Sequence, residues 1–209
     1  MTGDRRPSHG QVPSVLAAGV AGYLLGTIPS AGIASRLASG GAVDLRVAGT
    51  GNPGAMNAMG QLGTGWGLAV LAADVAKGSC AAWLGGRLAS DRGAFLAGTA
   101  AIAGHVFPVG KRFRGGKGVA TSAGASLVLF PADCPLDAGV AALSAVRSAN
   151  ADRAIEVSSL VWALAAGLWW RKRWPNAWGP PPSAGLLLFA ASSALMMIVR
   201  VELGRRRGR

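Results

Sequence analysis

The chain is short of charge, of acid and of sulfur. Only 14% of its 209 residues are charged, against about 25% in ordinary soluble domains. Nine are acidic and 21 basic, for a net charge of +12. Cys80 lies in an apolar run and Cys134 in a short polar link. Two such cysteines give neither a disulfide framework nor a C-x-x-C metal pair, so no metal site is expected. The few carboxylates form no pair suited to general acid–base catalysis, and no Ser/His/Asp order suggests a triad. Any reaction here has to rely on cations, backbone donors and positioning.

What is abundant is apolar. Hydrophobic residues make up 51% of the chain, and the 32 glycines are roughly twice the usual share. The apolar residues cluster in runs, and glycine suits close helix packing in a bilayer. The expected fold is therefore all-α, a single membrane-embedded domain over 1–209 with about seven transmembrane helices, several of them short. The cations sit in loops and at the C-terminus, without an amphipathic face or interleaved aromatics, so nucleic acid is not the expected partner.

The apolar stretches are 15–37, 65–88, 93–106, 119–130, 138–149, 157–170 and 183–201, with Pro29 breaking or kinking the first. Residues 1–11 read as a mobile tail and 202–209 as a basic tail. With seven crossings, 13 cations fall on the side of the C-terminus and 7 on the other. The positive-inside rule then places the N-terminus outside and the C-terminus in the cytoplasm.

Two glycine-rich loops fall on that cytoplasmic side. The stretch 104–121 reads GHVFPVGKRFRGGKGVAT. Gly115, Gly116 and Gly118 allow tight folding around Lys117, which suits an anion such as phosphate. The alternative is a glycine-rich loop whose cations only orient the protein. A Walker loop is excluded, because Lys111 stands where its first glycine belongs and Gly118 where its Ser/Thr belongs. In the earlier loop, Thr50, Gly51, Asn52 and Asn57 offer a hydroxyl, a turn and two amides. Alone, that loop would read as a turn that caps helices.

Lys77 lies inside the second apolar stretch, three residues after Asp74. Ions inside membrane helices usually pair and usually serve function; a self-satisfied pair near the interface is the plainer reading. His105 precedes the Lys117 loop and offers an acid, a base or a donor, although a lone histidine at a helix end is more often structural. Ser158 and Ser159 open the sixth stretch as caps or hydroxyls.

Five strings in order, TIPSAG, GTGNPGAMN, DVAKG, GHVFPV and FRGGKGVATSAG, resemble the bacterial acyl-phosphate:glycerol-3-phosphate acyltransferases of the PlsY family along nearly the whole chain. The resemblance implies an enzyme of the bacterial cell membrane that moves a fatty acyl group from acyl phosphate to glycerol 3-phosphate, giving lysophosphatidic acid for phospholipid synthesis. The partners it implies are those two substrates and membrane lipids, with no metal or organic cofactor. On the family pattern, Lys117 with Gly115, Gly116 and Gly118 holds one phosphate. Arg46 and Lys77 neutralise the other, Asn52 and Asn57 orient hydroxyls, and His105 completes the catalytic set. Thr50, Gly51, Asp74, Thr121, Ser159 and Arg200 are the further substrate contacts. Pro53, Met56, Glu156 and Val201 depart from the pattern, and a second reading is a catalytically altered homologue that binds a phosphate-bearing metabolite or lipid.

Overall fold

Proline and glycine decide where the apolar runs stop. The computed structural model describes residues 11–148 and 150–207, so the tail expected over 1–11 lies almost wholly outside the described residues, as do Gly208 and Arg209. Helix α1 (Gln11–Gly26) carries Pro13 in its first turn, where backbone N–H groups have no helical partner to lose. Pro29 then ends the run, and α2 (Ser30–Ser39) resumes until Gly40, whose φ of 61° is the left-handed cap glycine accepts without strain. The expected break in the first stretch is thus found.

The loop expected between residues 38 and 63 contains a helix of its own, α3 (Ala55–Leu62). Its sequence AMNAMGQL holds good helix formers between two glycines, a signal the glycine-rich composition of the loop obscured.

The second and third stretches form one element, α4 (Thr64–Val106), interrupted at Ala89 and Ser90, where Ser90 has φ 53°. The arms fold against each other. A Cβ on Gly85 would stand 2.3 Å from the Gly93 carbonyl, and one on Gly93 2.3 Å from that of Gly85. At 1.5 Å per residue the arms 64–88 and 91–106 run roughly 37 and 24 Å. The second arm lies against α1 through the same device: a Cβ on Gly22 or Gly26 would meet the carbonyls of Ala97 or Ala101 at 2.3 or 2.1 Å. Backbones this close leave no room for side chains, which is how small residues pack membrane helices.

After a single 3₁₀ turn at Val109–Lys111 come α5 (Val119–Leu129) and α6 (Cys134–Ser148), bent by 117° across a second 3₁₀ turn, Pro131–Asp133. Helix α7 (Ala151–Lys172) starts at Asn150, whose Oδ1 accepts from the amides of Asp152 and Arg153 at 3.0 and 3.2 Å. Helix α8 (Ala184–Arg207) runs through most of the expected 202–209 tail. Arg206 pairs with Glu202 at 2.9 Å one turn earlier, which supports the extension.

Among the described residues three segments, Val12–Ser39, Thr64–Lys111 and Ala184–Arg206, are long and apolar enough to cross a membrane, and the bent α5–α6 pair is a further candidate. On α1, Leu16, Val20 and Leu24 recur every fourth residue and are each about 60% exposed, an apolar stripe suited to lipid. The main core gathers Ile102 and Val106 of α4, Leu129, Trp162 and Phe189, with Trp162 edge-on to Phe189 at 5.2 Å. A smaller core holds α2 and α3 against Val70.

Candidate active site

The fold-back of α4 brings Lys77 on one arm to His105 at the end of the other. Lys77 Nζ lies 2.8 Å from Asp74 Oδ1, 3.2 Å from the Ile28 carbonyl and 2.7 Å from His105 Nδ1. The Asp74 contact is ionic, since Oδ1 receives no aligned donor. Asp74 and Lys77 are buried, and His105 Nδ1 is 3.6 Å from the same carboxylate oxygen. Pro29 supplies the Ile28 carbonyl: it breaks the first helix and leaves that oxygen free of helical bonding.

This cluster floors a cavity of about 320 Å³ beneath the α1–α2 break. Five cations line it: Arg36, Arg46, Lys77, Lys111 and Arg114. Its two carboxylates are engaged, Asp74 by Lys77 and Asp44 by Arg46. Arg46 Nε and Nη2 donate to the Asp44 oxygens at 3.0 and 2.8 Å. This fork holds the Asp44 carboxyl below the usual carboxylate range and raises Arg46. Arg36, Lys111 and Arg114 have no carboxylate partner among the described residues, which gives the cavity a surplus of positive charge. Ile28, Pro29, Ile33 and Val43 supply an apolar side. A space of that kind takes an anion carrying an apolar group.

The chain's single tyrosine fixes the cavity rim. Tyr23 Oη donates to the Phe107 carbonyl at 2.8 Å and accepts from the Val109 amide at 3.1 Å. Beyond it, Arg112 and Phe113 take left-handed φ values of 52° and 59°, conformations that side chains resist and that tend to persist where function needs them. Gly115 and Gly116 line the cavity, but their amides donate to the carbonyls of Val106 and His105 at 3.1 and 3.2 Å. Those two amides are therefore spent on holding the loop. Arg200, from α8, completes the clamp by donating Nε and Nη2 to the Gly115 carbonyl at 3.0 and 2.7 Å.

The structure brings Arg46, Asp74, Lys77, His105, Gly115 and Gly116 to this one space. The other expected residues stand around it. Asn57 is buried and fully occupied with backbone: Oδ1 accepts from the Thr50 amide, while Nδ2 donates to the carbonyls of Leu45 and Ala48. It shapes the loop that carries Arg46. Thr50 is exposed, Gly51 supplies a φ of 67°, and Asn52 is half-buried beside Gly54. Thr121 is buried on α5, and Ser159 lies in a separate 20 Å³ cavity with Ser122, Ser126 and Asp137.

Lys117 points away from the cavity and pairs with Asp152 in the first turn of α7. Gly118 lies beside it as the cap of α5, with φ 90°. Arg205 reaches the same Asp152 at 3.9 Å and Glu156 at 2.6 Å. Sequence reading missed Arg36, Lys111 and Arg114 as cavity residues, and Asp152 and Arg205 altogether. The first three carried a signal, since they flank the two glycine-rich segments. The last two carried none, because their partners are distant in sequence.

A family model described as glycerol-3-phosphate acyltransferase matches residues 16–206. Among curated relatives, the glycerol-3-phosphate acyltransferase of Bacillus subtilis is 46% identical over 109 residues, covering 52% of this chain and 55% of its own. That of Desulforudis audaxviator is 40% identical over 152 residues, covering 71% and 76%. The chain thus spans little more than half the length of the Bacillus relative. The crystal structure of PlsY, an integral membrane glycerol 3-phosphate acyltransferase, in its glycerol 3-phosphate form superposes with a TM-score of 0.74 at 26% identity, covering 93% of this chain and 91% of that one. Its lysophosphatidic acid form gives 0.73 with the same coverage.

Proposed function

The chain belongs to the glycerol-3-phosphate acyltransferase family, and on that premise we propose that it transfers a fatty acyl group from acyl phosphate to glycerol 3-phosphate. The products are lysophosphatidic acid and inorganic phosphate. A glycerol hydroxyl oxygen forms the new ester bond to the acyl carbon, the bond from that carbon to the phosphate oxygen breaks, and the hydroxyl proton leaves with the phosphate. We place the protein in the bacterial cell membrane with its N-terminus outside and both glycine-rich loops facing the cytoplasm.

The observation that carries this reading is the cavity itself: surplus cations on one side and apolar residues at the α1–α2 break on the other. Both substrates are anions and acyl phosphate already has a good leaving group, so fixed positive charge and donors are what the transition state asks for. Arg36, Lys111 and Arg114 neutralise phosphate there, with Arg46 beside them. Lys77 and Asp74 build the floor, and His105 meets the substrate. Asn52, Asn57, Thr50 and Gly51 shape the Arg46 loop, Arg200 fixes Gly115, and Lys117 with Gly118 and Thr121 guards the far face of the phosphate loop. Ser159 backs that face through its own small cavity.

A second reading, a non-catalytic binder of phosphate-bearing molecules, is favoured by one observation: Lys117 is held by Asp152. Purified protein in lipid, given glycerol 3-phosphate and a long-chain acyl phosphate, decides between them. Phosphate release that requires glycerol 3-phosphate and disappears in Arg114→Ala, a cavity cation, supports the enzyme. Silence from folded protein that still binds glycerol 3-phosphate supports the binder.

A further inference from the structure

The contacts of Lys77 fix the protonation of His105. A lysine ammonium has three protons and no acceptor. Around Nζ stand two hydrogen-bond acceptors, the Ile28 carbonyl and His105 Nδ1, the latter at 2.7 Å, with Asp74 Oδ1 in ionic contact. Lys77 next to a buried carboxylate keeps its charge, so the proton between Nζ and Nδ1 belongs to the lysine. A proton on Nδ1 as well would set two donors against each other at 2.7 Å. His105 is then the neutral tautomer with its hydrogen on Nε2.

That hydrogen has somewhere to go. Nε2 has no hydrogen-bond partner among the described residues, and His105 lines the cavity. A Cβ added at Gly116 would stand 2.3 Å from Nε2 and 3.2 Å from the Pro53 carbonyl oxygen. Glycine at this position therefore lets the ring lie close against the loop backbone, and Gly116 and Pro53 line the same cavity as His105. The charged groups that face the ring are Asp74 and Lys77 from α4 and Arg200 from α8.

From this geometry we infer that His105 serves as a neutral hydrogen-bond donor, presenting Nε2–H to an anionic oxygen of the bound substrate, and that Lys77 is the positioning residue that locks this tautomer. The inference rests on the reading of the cavity as the substrate site. It assigns His105 a donor role and removes it as the base that takes the glycerol proton, which instead leaves with the phosphate. It also explains why an ammonium inside the membrane is bound wholly by protein. Its task is to orient a second group, as the outer partners of catalytic histidines do.

The test uses the full-length protein in lipid nanodiscs with nitrogen-labelled histidine, in a His9→Gln background so that one imidazole is observed. We expect a neutral ring protonated at Nε2, and a shift of the Nε2 proton resonance on saturation with glycerol 3-phosphate or a non-hydrolysable acyl phosphate analogue. Lys77→Met should mix the tautomers, and Lys77→Arg should restore the single form. In turnover, His105→Gln places an amide N–H near Nε2 and should keep activity within about tenfold. His105→Asn, whose amide falls near Nδ1, should lose roughly 10²–10³-fold, as when one oxyanion donor is removed. A kcat loss identifies the acyl oxygen as acceptor, and a KM rise identifies a phosphate oxygen. A ring protonated at Nδ1, an Nε2 resonance indifferent to both ligands, or a Gln variant as inactive as the Asn variant overturns the inference. Should wild-type protein show no turnover but the Nε2 resonance still respond to glycerol 3-phosphate, the acyltransferase reading fails while the donor assignment stands.

Discussion

The Asp74–Lys77 pair offers a prediction whose size follows from its burial. The side chains are 4% and 6% exposed, so neither charge has water to fall back on. Lys77→Met leaves Asp74 with only the neutral His105 ring close by, its Nδ1 3.6 Å from Oδ1. Removing one member of a buried ion pair costs about 3–5 kcal/mol, because the remaining charge is stranded. Asp74→Leu strands Lys77 in the same way, with only the Ile28 carbonyl and His105 Nδ1 to receive its protons. The double variant Asp74→Leu/Lys77→Met strands no charge. What it loses is a donor to Ile28 and to His105, a cost of about 1–3 kcal/mol for unsatisfied acceptors. Each single variant should therefore be less stable than the double, with a coupling of at least about 3 kcal/mol. The assay is reversible denaturation of the solubilised protein, with helical signal and tryptophan emission followed together. Single variants within about 1 kcal/mol of wild type, or a double variant equal to the sum of the singles, would refute the reasoning.

Three further predictions address packing, the lysine latch and pH. Gly124→Ala places a Cβ 1.9 Å from the Val75 carbonyl and should cost about 1–3 kcal/mol by parting α5 from α4, whereas Gly139→Ala, with nothing within 4 Å, should leave the melting point unchanged or higher. Asp152→Asn frees Lys117 from a half-exposed pair worth about 0–1 kcal/mol; the apparent KM for glycerol 3-phosphate should fall by up to about fivefold if Lys117 serves the phosphate, and an unchanged KM would make the pair purely structural. Arg46 lowers the Asp44 carboxyl, so their mutual stabilisation is complete above the ordinary carboxylate pKa and is lost as pH falls through the lower folded value. The stability gap between wild type and Asp44→Asn should thus be flat around neutrality and close in acid, and a gap that widened in acid would contradict the sign.

The two glycine-rich strings and the Pro29 break were legible because each announces itself locally, by residues that fix or free the backbone. The all-helical fold was legible from the length of the apolar runs. The turn at Ala89 and Ser90 could be placed only as a polar gap. No glycine or proline sits there, and the fold-back is imposed by the meeting of Gly85 with Gly93. Lys77, His105 and Arg46 were found as candidates, but their division of labour was not. That Lys77 spends its donors on protein and Asn57 its amide on backbone depends on carbonyls of Ile28, Leu45 and Ala48, and backbone atoms leave no mark in a residue pattern. Lys117 shows the same limit from the other side. Its neighbours predict an anion, while its partner Asp152 lies 35 residues away.

The departures from the family pattern take on a different weight once they are located. Met56 is 80% exposed, and Val201 is buried at 1% in the helical core. Glu156, an acid that departs from the pattern, is matched by Arg205 at 2.6 Å. None of these three lines the 320 Å³ cavity, and among the substituted residues only Pro53 does, contributing a carbonyl that any residue would supply. The residues that floor and charge the cavity come from the strings that resemble the family, Arg114 among them, together with Arg36, Arg46 and Lys111. The lining of the cavity is therefore insulated from the changes. Their effect should concentrate on the outer face of the 104–121 loop, where Arg205 bridges Glu156 and Asp152, the partner of Lys117. Charge reversal of the outer pair, Glu156→Arg with Arg205→Glu, should accordingly alter the KM for glycerol 3-phosphate while leaving kcat within about twofold, a difference of about 0.4 kcal/mol. A collapse of kcat in that variant, with the protein still folded, would place the outer cluster in the chemistry and overturn the separation of the two faces.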